Sequence, residues 1–206
     1  MSDVRALRER ELDALREVAN IGAGHAATAL SQMTNRTIMI TVPEVHVRPF
    51  ETAATILGDA DGQVAAVMMH VMGDVTGRTL VVLPLPSARV LCDLVFRRAF
   101  GATVDFGAME QSGLKEVGNI VVSAYLTALS DFLGLMLLPS VPTLALDPVG
   151  VILTTTLADP SLADDFVISV ETAFRVSGTD EPLRGHFLLL PDPPSLRAIF
   201  DAIRLP

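Results

Sequence analysis

The sequence predicts an α/β fold of the α+β type. In this fold a duplicated unit with pseudo-twofold symmetry builds one continuous, mostly antiparallel sheet with long helices packed on it. Three observations support the prediction: half of the 206 residues are hydrophobic, the two halves of the chain repeat each other, and short turn sequences separate strand-like segments. With no tryptophan and a single tyrosine, the core is expected to be aliphatic, and the chain is long enough to bury it without disulfides.

The repeat becomes visible when the segment GLKEVGNIVVSAYLTALSD is shifted back by 99 positions. A Glu, an Asn and a Pro then coincide, which has a chance of roughly 10⁻⁴ per register if each residue type occurs at about one in twenty. We therefore expect one domain spanning 1–206, made of two repeats at about 1–101 and 102–206. The aligned pairs are Ser112 with Asp13, Glu116 with Glu17, Asn119 with Asn20, Ile120 with Ile21, and Pro142 with Pro43.

Each repeat is predicted to begin with a long helix. In the first repeat, apolar residues recur at helical spacing over residues 5–33, and Asn35 is expected to end the helix. In the second repeat the corresponding helix is expected at about 107–133. A shorter helix closes each repeat, from Pro86 to near Gly101 and from Pro194 to Ile203.

Strand-like segments lie between the long and the closing helix. In the first repeat they are TIMITV, QVAAVMMHVM and TLVVLP, and in the second GVILTTTLA, FVISVETAFRVSG and GHFLLLP. The turn sequences GDADG and GDVTG are short, and short turns join antiparallel strands. Because neither repeat alone can bury both faces of its elements, the two are expected to share one sheet.

Charge and apolar patterning limit the class of protein. The net charge is −9 and Lys115 is the only lysine, which argues against a nucleic-acid partner because phosphate contacts need clustered basic residues. The single Cys92 is expected to be buried, in a reducing compartment. The N-terminus is charged, and the most apolar tract, VGNIVVSAYLTALSDFLGLMLLP, contains polar residues. We therefore expect a cytoplasmic protein without membrane insertion.

The two long helices each carry a polar stripe, because side chains three and four residues apart share one helical face. A carboxylate and a carboxamide on one face can together pair with a cation and hold a water, since an amide both donates and accepts hydrogen bonds. For a single copy a solvated surface would be the commoner interpretation, but the duplication favours a site. The first stripe is Asp13, Glu17, Asn20 and Gly24, and the second stripe is Ser112, Glu116, Asn119 and Ser123.

Other possible sites are weaker. The segment IGAGHAA contains Gly-x-Gly but continues a helical pattern, whereas a nucleotide loop follows a strand. The four histidines lack metal-ligand spacing, and the acidic turns DADG and ADPSLADD lack the ligand series of a calcium loop. The sequence therefore predicts no metal and no cofactor bound by this chain.

The doubled pattern Asp/Ser-x3-Glu-x2-Asn-x22-Pro resembles the signature of the CheC/CheX/FliY family of chemotaxis phosphatases. The resemblance covers the whole chain, and two copies without an extra domain are most similar to the CheC branch. It implies a hydrolase of two-component signal transduction, a phosphatase that removes the aspartyl phosphate of CheY, the receiver-domain response regulator of chemotaxis. Mg²⁺ is then expected on the receiver-domain substrate and not on this chain.

The resemblance also implies residue roles. The two amides orient the attacking water, and the two carboxylates pair with the receiver's lysine beside its phosphoaspartate, which fits a reaction catalysed mainly by positioning and charge. These catalytic residues are Glu17, Asn20, Glu116 and Asn119. Partner binding is expected from Asp13, Gly24, Ser112 and Ser123, and a structural role from Pro43 and Pro142.

A second class of function stays open from the sequence. The same stripes fit a non-catalytic binding or adaptor module that recognises a phosphorylated receiver. The resemblance also implies a further partner, CheD, a receptor glutamine deamidase that such an adaptor would recruit. The lifetime of the phosphoaspartate separates the two classes, because only an enzyme shortens it.

Overall fold

A computed structural model describes residues 9–41, 44–49, 52, 57, 59–157, 166–177 and 182–204. Within these residues the chain forms five helices and eight strands. In chain order they are α1 (Glu9–Thr34), β1 (Ile38–Ile40), β2 (Glu44–Pro49), β3 (Gln63–Gly73), β4 (Gly77–Pro84), α2 (Leu85–Val95), α3 (Ala108–Leu133), β5 (Leu137–Pro139), β6 (Thr143–Pro148), α4 (Val149–Leu157), β7 (Phe166–Val176), β8 (Leu183–Pro191) and α5 (Pro193–Arg204).

The described strands form one sheet in the order β1-β7-β8-β4-β3-β5, with β2 also paired to β7 and β6 also paired to β3. All these pairings are antiparallel. Strands β1 and β2 of the first half of the chain pair with β7 of the second half. Strands β5 and β6 of the second half pair with β3 of the first half. This exchange is symmetric about the central β4–β8 pair, which confirms the predicted continuous antiparallel sheet with pseudo-twofold character.

Helices α1 and α3 lie side by side on one face of the sheet. They approach closely because residue 22 is glycine: a Cβ there would lie 2.7 Å from Cδ1 of Tyr125. Tyr125 stacks on Phe187 with ring centroids 4.6 Å apart, and its hydroxyl hydrogen-bonds to that of Thr172 on β7 at 3.0 Å. Burial raises the pKa of Tyr125 to about 12. These contacts fix the apolar face of α3 on the sheet, so its polar stripe points away.

The opposite face of the sheet is covered in part by α4, and here the sequence prediction was wrong. Residues 150–158 were expected to be a strand because Val, Ile and Thr favour strands, but Val149–Leu157 is a helix. Ile152 and Leu153 are buried against Leu80 and Val82 of the sheet. The threonine hydroxyls of this helix donate to carbonyls one turn back. Burial of one apolar side therefore outweighed the local preference.

Helix α2 ends at Val95, earlier than the predicted stop near Gly101. The cause is Asp93, a fully buried carboxylate that accepts hydrogen bonds from the backbone N–H groups of Gly101 and Thr103 and from the Thr103 hydroxyl, at 2.6–2.8 Å. These bonds fold the chain back over the helix end. Neighbouring Cys92 is buried as predicted, and burial raises the pKa of its thiol to about 11.

The start of α5 is fixed by Asp192. Its Oδ1 accepts the backbone N–H of Ser195 at 2.9 Å, and the Thr76 hydroxyl donates to Oδ2, which ties the helix to the turn between β3 and β4. Burial raises the pKa of Asp192, but the hydrogen bonds from Thr76 and Ser195 outweigh it. The pKa therefore lies below its ordinary value.

The remaining predicted elements fall close to their observed positions. Asn35 directly follows α1 in the left-handed region at φ 55°, as expected for a helix end. Strands β1, β3, β4, β7 and β8 coincide with predicted segments, whereas β2, β5 and β6 were not predicted. Within the described ranges, the helices are too short or too polar to cross a bilayer.

Candidate functional site

The first stripe is an open surface on α1. Asp13, Glu17, Asn20 and Gly24 are all exposed, while the other side of the helix, including Leu15 and Ala19, is buried in the core. Within the described part of the chain, no hydrogen bond or ion pair engages the side chain of Glu17 or Asn20. A Cβ added at Gly24 would meet no atom within 4 Å. The carboxylate and the amide are therefore free to contact another molecule.

Asp13 has a local partner. Its Oδ1 accepts a hydrogen bond from the Arg16 guanidinium at 2.7 Å, one turn along the helix. Both side chains are at least half exposed, and such pairs contribute little stability because water screens them. Asp13 is thus positioned at the edge of the first stripe by an ion pair that a docking partner could replace.

The second stripe, on α3, is less open. Ser112 and Glu116 are exposed, but Asn119 and Ser123 are half-buried, whereas both asparagines were expected to be exposed. At the neighbouring Gly118, an added Cβ would be 2.5 Å from the Val67 side chain, so this glycine lets α3 pack closely on the sheet. Glu116 and Asn119 form no side-chain hydrogen bond or ion pair with any residue that the structure describes.

The prolines of the pattern lie away from the stripes. Pro142 is half-buried and directly precedes β6, in a connection where Ser140 Oγ accepts the backbone N–H of His70 at 2.9 Å. This place in the sheet agrees with a structural role. Pro43 lies outside the described residues.

Each helix therefore presents its own complete pair, with Glu and Asn three residues apart and their Cβ atoms about 5–6 Å from each other. Pairs on a convex helix surface suit contact with a protein whose own pocket encloses the reacting group. Among the residues described, no cluster of three or more His, Cys, Asp or Glu could hold a metal ion.

The site contains a basic residue that the sequence analysis did not single out. Arg16 directly precedes Glu17, and Lys115 directly precedes Glu116, again 99 positions apart. The alignment of the two stripes, Arg-Glu-Val-Ala-Asn against Lys-Glu-Val-Gly-Asn, already held this signal. Arg16 has half of its side chain exposed, and Lys115 is half-buried.

Comparison with known proteins covers both stripes. The model of the CheC-like family matches residues 11–47 and 109–146, which contain the first and the second stripe. The chain is 35% identical over 206 residues to the CheY-P phosphatase CheC of Bacillus subtilis (strain 168), and the match covers 98% of both proteins.

Two solved structures share the fold. The crystal structure of Thermotoga maritima FliY matches with a TM-score of 0.74 at 22% identity, over 96% of this chain and 98% of that chain. The CheX-CheY-BeF3-Mg²⁺ complex of Borrelia burgdorferi matches with a TM-score of 0.51 at 16% identity, over 84% of this chain and 96% of that chain. The full-length identity to CheC and the doubled family match lead to one conclusion: this chain belongs to the CheC-like family.

Proposed function

We propose that this chain is a protein aspartyl-phosphate phosphatase, a hydrolase that dephosphorylates a CheY-type response regulator of chemotaxis. The observation that carries the proposal is the exposed pair of Glu17 and Asn20 on α1, whose side chains have no hydrogen-bond or ion-pair partner among the described residues. The pair is repeated on α3 by the exposed Glu116 and the half-buried Asn119. A relative that is 35% identical over nearly its whole length is named a CheY-P phosphatase.

In the proposed reaction, the oxygen of a water bonds to phosphorus as the bond from phosphorus to the aspartyl oxygen breaks. The products are inorganic phosphate, which keeps both protons of the water, and a free aspartate on the receiver. Asn20 or Asn119 holds this water in line with the leaving oxygen, since an amide can accept from and donate to it. Glu17 or Glu116 pairs with the receiver's lysine and fixes the docked orientation.

The position of the pairs on the helix surfaces is compatible with chemistry that takes place in the partner's pocket. Phosphoryl transfer depends mainly on positioning and on stabilising charge, and the receiver supplies the phosphoryl group within its own pocket. The Borrelia complex contains CheY with BeF3 and Mg²⁺, and we place the Mg²⁺ of this reaction on the receiver. Each helix then inserts one carboxylate and one amide into the pocket of a receiver.

Three further assignments are part of the proposal. CheD, implied by the family resemblance, is a proposed second partner, and calorimetric titration of CheD into the chain tests it. The proposed location is the cytoplasm. Partner contacts by Asp13, Gly24, Ser112 and Ser123 are likewise proposed from their places on the two stripes.

The decisive experiment measures the lifetime of the phosphoaspartate on a CheY-type receiver with and without the chain, at a substoichiometric ratio. An enzyme shortens the lifetime by turnover, and the Asn20→Ala/Asn119→Ala variant removes the effect while remaining folded. A lifetime that is unchanged or lengthened by the wild-type chain would refute the phosphatase and support the adaptor.

A further inference from the structure

A positively charged residue lies beside each stripe, at the same position of the repeat. Arg16 and Lys115 occupy equivalent places in the repeat, although the chain has only 15 basic residues against 24 acidic ones and Lys115 is its single lysine. A cation kept at the same place in both copies of an acidic protein suggests a role in the site, beyond ordinary solvation of a helix surface.

The helix places this cation beside the amide. Arg16 is four residues before Asn20, and Lys115 is four residues before Asn119. Residues at this spacing are neighbours on one helical face, with Cβ atoms about 5–6 Å apart. The long side chains of Arg and Lys can extend past the shorter amide while their stems lie on the helix.

Neither cation makes an ion pair that contributes much to the stability of the fold. Among the described residues Arg16 pairs only with the exposed Asp13, at 2.7 Å, and a surface pair of this kind is worth about 0–1 kcal/mol. In the second stripe Ser112 replaces that aspartate, and Lys115 has no ion pair within the described residues. Both groups can therefore turn towards a docked anion at little cost.

Such a charge would favour the reaction, in addition to the Mg²⁺ placed on the receiver. In the transition state negative charge spreads over the equatorial phosphoryl oxygens, and a cation placed there lowers the barrier. In the proposed docking, Glu17 or Glu116 engages the receiver's lysine, which draws that positive charge away from the phosphoryl group. A second cation from this chain would restore it.

We propose that Arg16 and Lys115 are catalytic residues that contact the phosphoryl oxygens of the docked receiver, one in each centre. This inference rests on the proposed function. Each centre then consists of three neighbouring groups on one helix: a cation, a carboxylate and an amide.

The test compares charge-removing and charge-keeping variants. Arg16→Gln/Lys115→Gln keeps good helix formers at both positions, Arg16→Lys/Lys115→Arg keeps both charges, and Arg89→Gln on α2 removes an exposed charge outside the stripes. For wild type and each variant, kcat and KM are measured for receiver dephosphorylation. Affinity for the BeF3-treated receiver is measured separately by fluorescence titration. For this measurement each set of substitutions is made in the background of the Asn20→Ala/Asn119→Ala variant.

The double Gln variant is expected to lose about 10- to 100-fold in kcat with KM changed less than about threefold. The charge-keeping variant should keep more of kcat than the double Gln variant, and Arg89→Gln should stay near wild type in kcat. A kcat within twofold of wild type, a loss confined to KM, or an equal loss in Arg89→Gln would overturn the inference. Affinity for the BeF3-treated receiver should change less than about threefold in the Gln pair, in line with KM. An inactive wild-type chain would refute the proposed function, whereas an active wild-type chain with an unaffected Gln pair would refute only this inference.

Discussion

Two glycines on α1, two residues apart, differ sharply in their surroundings and provide a matched pair of substitutions. A Cβ at Gly22 would lie 2.7 Å from Cδ1 and 3.0 Å from Cα of Tyr125, whereas a Cβ at Gly24 would meet no atom within 4 Å. Gly22→Ala therefore forces α1 and α3 apart, while Gly24→Ala only adds a methyl group to an exposed helix surface. The pair tests whether close helix packing positions the two stripes.

The magnitudes follow from the same contacts. Replacing glycine by alanine inside a helix contributes about 0.5–1 kcal/mol of stability at either position. Overpacking against Tyr125 costs about 1–3 kcal/mol at position 22 alone. Because the helix term cancels, the free energies of unfolding of the two variants should differ by about 1–3 kcal/mol. Gly24→Ala should be more stable than wild type, by roughly 2–4 °C in Tm per kcal/mol for a chain of this length.

Urea denaturation followed by circular dichroism measures the free energies of unfolding of the two variants. Dephosphorylation assays measure their activities. Gly24→Ala should keep its activity, because the second stripe already carries the larger Ser123 at the same place. Gly24→Gln should stay folded but lose the contribution of the first centre, since a long side chain would block docking. Equal stabilities of Gly22→Ala and Gly24→Ala within about 0.5 kcal/mol would refute the packing argument.

Three further predictions concern single carboxylates or pairs of them. Glu17→Ala/Glu116→Ala should chiefly lower the affinity for a phosphorylated receiver mimic, and this affinity should depend less on salt concentration than that of wild type. A calorimetric affinity equal to that of wild type would refute this. Asp192→Ala should lower the free energy of unfolding by about 0.5–2 kcal/mol at pH 7 through loss of the α5 cap. Since the folded pKa is depressed, this loss should shrink as urea midpoints are followed down in pH through that pKa, and a pH-independent difference would contradict it. Asp93→Ala leaves three donors without an acceptor and should cost at least about 2 kcal/mol. The exposed Asp201 lies six residues after Ser195 on α5, as Asp93 lies six residues after Ser87 on α2. Replacing Asp201 by Ala should cost less, and equal losses would argue against the role of burial.

The sequence could predict features that depend on periodicity and repetition. The long helices follow from apolar residues at helical spacing, and the stripes follow from the repeat at 99 positions. The central strands were predictable because their apolar runs are buried on both faces, as in β4 and β8. These signals lie within short stretches of chain.

What the sequence could not predict depends on contacts between distant segments. Helix α4 has the composition of a strand and becomes a helix because Ile152 and Leu153 pack together on the sheet. The close packing of α3 on the sheet at Gly118 depends on Val67 of β3. The short strands β5 and β6 are held by pairing with β3 of the other half of the chain. The sequence analysis overlooked Arg16 and Lys115, although the aligned repeat contained them.

The most direct test of the account measures dephosphorylation rates of a phosphorylated CheY-type receiver side by side for wild type, Asn20→Ala, Asn119→Ala and the double variant. Each helix carries a complete Glu/Asn pair, so the two centres should act separately. We expect each single variant to keep part of the activity, with the two rates summing to about the wild-type rate. The double variant should lose about 10²- to 10³-fold. Complete inactivation by either single substitution, in protein shown by circular dichroism to be folded, would establish one composite site, and full activity of the folded double variant would contradict the mechanism itself.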